Sequence, residues 1–231
     1  MQSKISLVLE SLSGALLMAF HLLAPFMRPW RLHWGAAPEE VSRKLPGDEL
    51  VANPRWSYTH AITIHAPVSQ VWPWLAQLGQ EKGALYSYEG LENLTGCKMH
   101  NANEIVPEWQ NVKIGDKVRL GPEPYPFFNV VQVQPERALV LHNSNDPHSP
   151  NCAASSWVFY LEAIDAHTTR LLERGRSAYT MTRVNRLGYG QLLVEPIGFV
   201  MERKMLLGIK KRAETRVGIQ HLQNIPNVMS T

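Results

Sequence analysis

Residues 88–110, YEGLENLTGCKMHNANEIVPEWQ, gather five side chains able to do chemistry: Glu92, Cys97, His100, Glu104 and Glu108. Metal binding is the first chemistry to weigh. His100, Glu104 and Glu108 are spaced four apart and would share one face of a continuous helix. Pro107 opposes that, because it pushes residue 106 away from helical angles. Cys97 and His100 have a finger-like gap, yet no second Cys/His pair sits at zinc-ribbon distance. His142, His148 and Cys152 fall in or near a turn-rich loop and would have to complete the site from afar. The pattern predicts no bound metal and no cofactor.

Nucleophilic catalysis has no better support. Neither cysteine lies in a nucleophile motif, and no Gly-x-Ser-x-Gly elbow occurs. Gly188-Tyr189-Gly190 is not followed by a phosphate-loop pattern. The basic C-terminal region carries no helix-turn-helix or RNA-binding signature, so no nucleic acid is expected as partner.

Acid–base chemistry is the remaining class. Glu202 falls on the apolar face of the C-terminal helix, between Phe199, Met205 and Leu206. A carboxylate there must be paired, hydrated or protonated. Arg174 or Arg176 of the last strand is the expected partner; the alternative is a polar contact or general base at a ligand. Trp157 alternates with Phe159 and Leu161 along a strand, where aromatic residues are more often core than ligand contacts. Tyr86, Tyr88, Glu92 and Trp109 flank the short helices. The candidate ligand-contacting set is therefore Tyr86, Tyr88, Glu92, Trp109, Trp157, Arg174, Arg176 and Glu202.

These residues need elements to position them. A chain of 231 residues with 45% hydrophobic content and seven tryptophans can fill one sizeable core. Its two cysteines do not make a disulfide framework and are read as reduced. The net charge of +3 hides an asymmetry, because residues 170–216 hold eleven Lys/Arg against four Asp/Glu. Alternation with apolar residues makes that region a solvated helix face, or a surface for anionic headgroups.

Residues 5–27 are apolar apart from Glu10, His21 and a few serines. Residues 11–27 would extend roughly 25 Å as a helix, the short end of a membrane span. Ser6, Glu10, Ser13, Gly14 and His21 fall near one helical stripe that Leu17 interrupts. That stripe fits a span with a polar packing face, a helix lying in the interface, or the core helix of a soluble protein. A secretory signal is a further option, against which Glu10 and the lack of a small-x-small site argue. Flanking charge leans only slightly toward a cytoplasmic domain.

The rest reads in order. Residues 35–57 form a proline-punctuated linker lying along the domain, which occupies 58–222. YTHAITIHA is a strand, and PVSQVWPWLAQLG is a helix that Pro73 should kink or split. A second short helix, 88–96, ends at Gly96. Strand-like runs follow at 117–120, 127–134, 138–143, 155–164 and 170–180, with spacings that suit antiparallel hairpins. A long amphipathic helix spans about 196–220, and residues 223–231 read as a disordered tail.

This order, with ITIHAPVSQVWPWLAQLGQ, YEGLENLTG, NANEIVPEWQ with Gly115-Asp116, and FVMERKMLLGIKKRAE, resembles the START-like or SRPBCC (polyketide cyclase/dehydrase-like) superfamily. The resemblance covers about residues 35–220 and points to a bacterial subgroup with a hydrophobic N-terminal segment and no settled activity. It implies an α+β helix-grip fold: a curved antiparallel sheet wrapped around the C-terminal helix, with two short helices after the first strand. It also implies a cavity for an apolar or amphipathic ligand, lipid-like or polyketide-like. No catalytic residues carry over from it. The expected function is noncatalytic ligand binding by a domain tethered to a membrane. The alternatives are a cyclase or dehydratase using Glu202 or Glu92, and a membrane-surface interaction protein.

Overall fold

The computed structural model describes residues 4–223, and the side chains of residues 5–218. Helix α1 (Lys4–Leu23) leads through a 3-10 turn (Pro25–Met27) to α2 (Arg28–Leu32) and α3 (Pro38–Ser42). Strand β1 (Trp56–Ile64) and the short helices α4 (Val68–Ala76) and α5 (Glu89–Leu94) follow. Four hairpin-linked strands come next in the order β2 (Lys117–Arg119), β3 (Phe127–Gln134), β4 (Ala138–Ser144) and β5 (Ala153–Asp165). Strand β6 (Thr168–Tyr179), α6 (Arg183–Gly188) and α7 (Val194–Gln223) complete the described chain.

The strands form one antiparallel sheet in the order β1-β6-β5-β4-β3-β2. The helix-grip architecture that the resemblance implied is the one observed. Short turns enforce the hairpins; the long excursion through α4 and α5 is what lets β1 close against β6 at the other edge. Helix α4 runs through Pro73 as a single element rather than dividing there. Residues 98–110 hold only a 3-10 turn, Pro107–Trp109, so His100, Glu104 and Glu108 share no helical face. Cys97 and Cys152 are both free thiols.

Alternation along the strands divides the sheet into two faces. Ile62, Ile64, Leu139, Leu141, Trp157, Phe159, Leu161 and Leu171 point to the side where Met205, Leu206, Ile209 and Ala213 of α7 pack. This main core fills the middle of the grip. The opposite face carries Thr59, Ala61, Leu172, Arg174 and Arg176, and it is covered by residues 36–52 lying as a strap. Leu45 of the strap packs on Ala61 and Leu172. The tail read from the sequence lies, beyond Gln223, outside the described residues.

Helix α1 does not stand away from the domain. Its Glu10 pairs with Lys204 of α7, and its His21 ring meets Phe199 edge-on with centroids 5.0 Å apart. Gly14 sits where a Cβ would come within 2.8 Å of Tyr88 and Leu91, so only glycine permits this approach to α5. Glu10, Gly14 and His21 of the polar stripe therefore face the domain, while Ser6 and Ser13 are exposed.

Candidate functional site

The inner face of the sheet is largely apolar, and its ionisable side chains gather at one place. Tyr58 and His60 of β1, Glu173 of β6 and Trp157 of β5 point inward as register neighbours, because His60 pairs with Glu173 and both Tyr58 and Trp157 pair with Gly175. Gly175 is required there, since a Cβ would lie 2.2 Å from the Tyr58 ring. Glu202 of α7 meets this group from the helix side.

The Tyr58 hydroxyl donates to Glu202 Oε1 at 2.5 Å, and Trp157 Nε1–H donates to Glu173 Oε1 at 2.7 Å. His60 Nε2 lies 2.9 Å from the Arg31 carbonyl oxygen, which can only accept, so Nε2 carries the proton. In the neutral ring Nδ1 is then a bare lone pair. It faces Glu173 Oε2 at 3.3 Å and Glu202 Oε2 at 3.8 Å. His60 and Glu173 are fully buried, and Glu202 is one-fifth exposed.

Burial sets the proton inventory. It lowers the His60 pKa and pushes the Glu173 carboxyl up to about 8. Burial, with Glu173 beside it, pushes Glu202 up to about 8 as well, while Tyr58 is held well above its ordinary range by burial and the Glu202 charge. Two buried carboxylates side by side cannot both ionise without a counter-charge. Among the described residues, neither forms an ion pair with a lysine or arginine; the buried Arg31 is engaged instead by Glu195, which Arg28 also grips at 2.8 Å.

A narrow crevice reaches this cluster between α2 and α7, lined by Arg31, Leu32, Trp56, Tyr58, Phe199 and Glu202. A wider cleft of about 210 Å³ lies alongside, among Leu17, Phe20, His21, Met27, Trp30, Phe199, Val200 and Arg203. Its walls are α1, α2 and the outer flank of α7. The clefts described thus flank α7 near its N-terminal end, whereas its middle is packed onto the sheet.

The residues singled out from the sequence separate into groups. Glu202 and Trp157 belong to the buried cluster. Arg174 and Arg176 do not: strand parity places them on the outer face, where both reach Asp48 and strap carbonyls. The expected pairing of either with Glu202 is therefore corrected, because the residue after inward-facing Glu173 must face outward. Tyr86 is a core residue against Trp74, with Arg212 over its ring. Tyr88 packs with Phe199 and Val200 beneath α1, Trp109 is half-buried in its 3-10 turn, and Glu92 is buried on α5 with no hydrogen-bond partner. Tyr58, His60 and Glu173 were missed. A His and a Tyr two apart in β1, and the one Glu of β6, directly after Leu171-Leu172, were the signals that could have marked them.

Fold and site together define an α+β helix-grip protein with a buried Tyr–His–Glu–Glu cluster at one end of the grip. No family model matches the sequence, and no curated protein matches it either. Solved structures similar to it include a Thermobifida fusca protein, 12% identical over 69% of this chain and 93% of that one, with a TM-score of 0.42. Norcoclaurine synthase from Thalictrum is 11% identical over 70% and 96%, with a TM-score of 0.38. A polyketide-cyclase-like protein from Corynebacterium glutamicum is 16% identical over 76% and 97%, with a TM-score of 0.32.

Proposed function

We propose that this protein is a noncatalytic binding module that rests on a lipid surface and holds one chain of an amphipathic, anionic-headed molecule in the cleft between α1, α2 and α7. One observation carries the reading. Helix α1 turns Glu10, Gly14 and His21 to the domain and a largely apolar face outward: Ile5, Val8, Leu12, Leu16, Phe20 and Leu23 are all more than half exposed, and Phe26 continues them at 79%. A helix docked along α7 lies on a bilayer rather than crossing it, with its outward face in the acyl boundary. Each such side chain withdrawn from water contributes up to about 2 kcal/mol.

The cleft suits one chain rather than a whole drug-sized ligand, for which pockets of about 300–1,000 Å³ are usual. Arg203 lines it and keeps a buried Nε without a hydrogen-bond partner, a donor ready for an anionic head. Flotation with anionic and with neutral vesicles tests the membrane half. Wild-type protein is expected to float, and a variant with serine at Leu12, Leu16, Leu23 and Phe26 to stay behind. Native mass spectrometry tests the ligand half, with a lipid-mass adduct that Arg203→Gln diminishes. Failure of wild-type protein to float with either vesicle would overturn the reading.

A further inference from the structure

We infer that His60, Glu173 and Glu202 form a binding site for a divalent cation of the zinc class. The three offer Nδ1 and two carboxylate oxygens that all lie within 4.8 Å of one another. Metal–ligand distances near 2.0–2.2 Å in a tetrahedral shell put donor atoms about 3.4 Å apart. The His60 Nδ1 separations of 3.3 and 3.8 Å from the two carboxylates bracket that value.

A second feature is independent of the acidic charge. Each of the three residues has its far atom tied to an outer partner, leaving the near atom turned toward a common centre. His60 Nε2–H is tied to the Arg31 carbonyl, Glu173 Oε1 to Trp157 Nε1–H, and Glu202 Oε1 to the Tyr58 hydroxyl. This is how metal-binding histidines and carboxylates are oriented: the outer bond fixes the imidazole tautomer and leaves a lone pair for the ion. With both carboxylates ionised, three acceptors converge with no donor among them. The 3.3 Å contact of His60 Nδ1 with Glu173 Oε2 is a hydrogen bond only while Glu173 holds a proton that the ion would displace. His60, 1% exposed, aims that lone pair inward from a fixed ring.

Charge balance points the same way. With His60 neutral the cluster needs two protons or one dication to be neutral, because among the described residues no lysine or arginine is paired with either glutamate. A dication satisfies both carboxylates and the imidazole lone pair at once. Glu202, one-fifth exposed at the crevice, is the most solvent-accessible of the three ligands. Zinc fits better than magnesium, which prefers an all-oxygen octahedron and keeps its waters.

The test uses chelator-treated, tag-free full-length protein titrated with Zn²⁺ or Co²⁺ alone. The expected result is one equivalent bound, intense visible d–d bands for Co²⁺, and a higher melting temperature with metal than with chelator. Glu202→Gln keeps the Tyr58 hydrogen bond and should lower affinity at least tenfold while the far-ultraviolet spectrum stays unchanged. His100→Gln, at a fully solvated histidine, should bind as wild type does. Absence of stoichiometric binding by wild-type protein, or binding that Glu202→Gln leaves intact, overturns the inference and assigns the cluster to shared protons. Neither result bears on vesicle flotation, so the two readings fail separately.

Discussion

Glu173 and Arg174 are neighbours in the chain and serve opposite faces of the sheet. Glu173 points into the grip and meets His60 and Trp157; Arg174 points out and ties down the strap. One strand thus anchors the polar cluster and the N-terminal covering together, which couples the geometry of the cluster to residues more than a hundred positions upstream.

Arg174 makes five hydrogen bonds, to Thr59, the carbonyls of Glu40, Val41 and Arg43, and Asp48. It is 4% exposed. Arg174→Met removes the donor and leaves Asp48 and three carbonyls without it, so stability should fall by about 3–5 kcal/mol. Urea denaturation measures this, and proteolysis within residues 36–52 should quicken in parallel. A loss below about 1 kcal/mol would show the strap is held by packing alone.

Glu92 contributes a pH dependence of its own, beside that of Glu173 and Glu202. It is buried with both carboxylate oxygens unpartnered, and burial, then Glu89, raises its pKa from 4.5 to about 7. The folded state therefore holds a proton that the unfolded chain releases. Stability from this group is fully present below 4.5 and is lost as pH rises through about 7. The loss across that window is about 3 kcal/mol. Glu92→Gln should flatten the slope and be the more stable protein above the window. Denaturation curves on either side of it decide, and equal slopes in the two proteins would remove Glu92 as the cause.

The fold was legible because its signals are local. Alternation in YTHAITIHA, turn clusters between short strands and the apolar face of α7 each act within a few residues. The site was less legible because it is made by register. Glu202 stood out as a carboxylate on an apolar helix face, but its partners depend on which residue of β1 sits opposite which residue of β6. Arg174 and Arg176 looked equally placed for Glu202 until parity put them on the other side. Pro107 gave the correct reading of residues 98–110, since its steric effect is also local.

Gly14 tests the docking of α1. A leucine there would drive its side chain into Tyr88 and Leu91. Gly14→Leu should destabilise the α1–α5 contact by about 1–3 kcal/mol and speed amide exchange along α1, with β5 and β6 unchanged. Uniform acceleration through the sheet would mean α1 belongs to the same cooperative unit as the core.

Gly175 tests how the cluster is held. The Tyr58 ring lies across Gly175, where an added Cβ would be 2.2 Å from its Cε1 and 2.6 Å from its hydroxyl. Gly175→Ala must therefore displace the ring, and with it the 2.5 Å bond to Glu202 Oε1. Backbone strain is not the cause, because Gly175 is not among the positive-φ glycines. The substitution should cost about 1–3 kcal/mol in the wild-type background. In a Tyr58→Ala background the obstructing ring is gone, so adding the methyl should cost much less, a coupling that a double-mutant cycle reads directly. Equal costs in the two backgrounds would place the need for glycine in the strand itself and leave Tyr58 held by Glu202 alone.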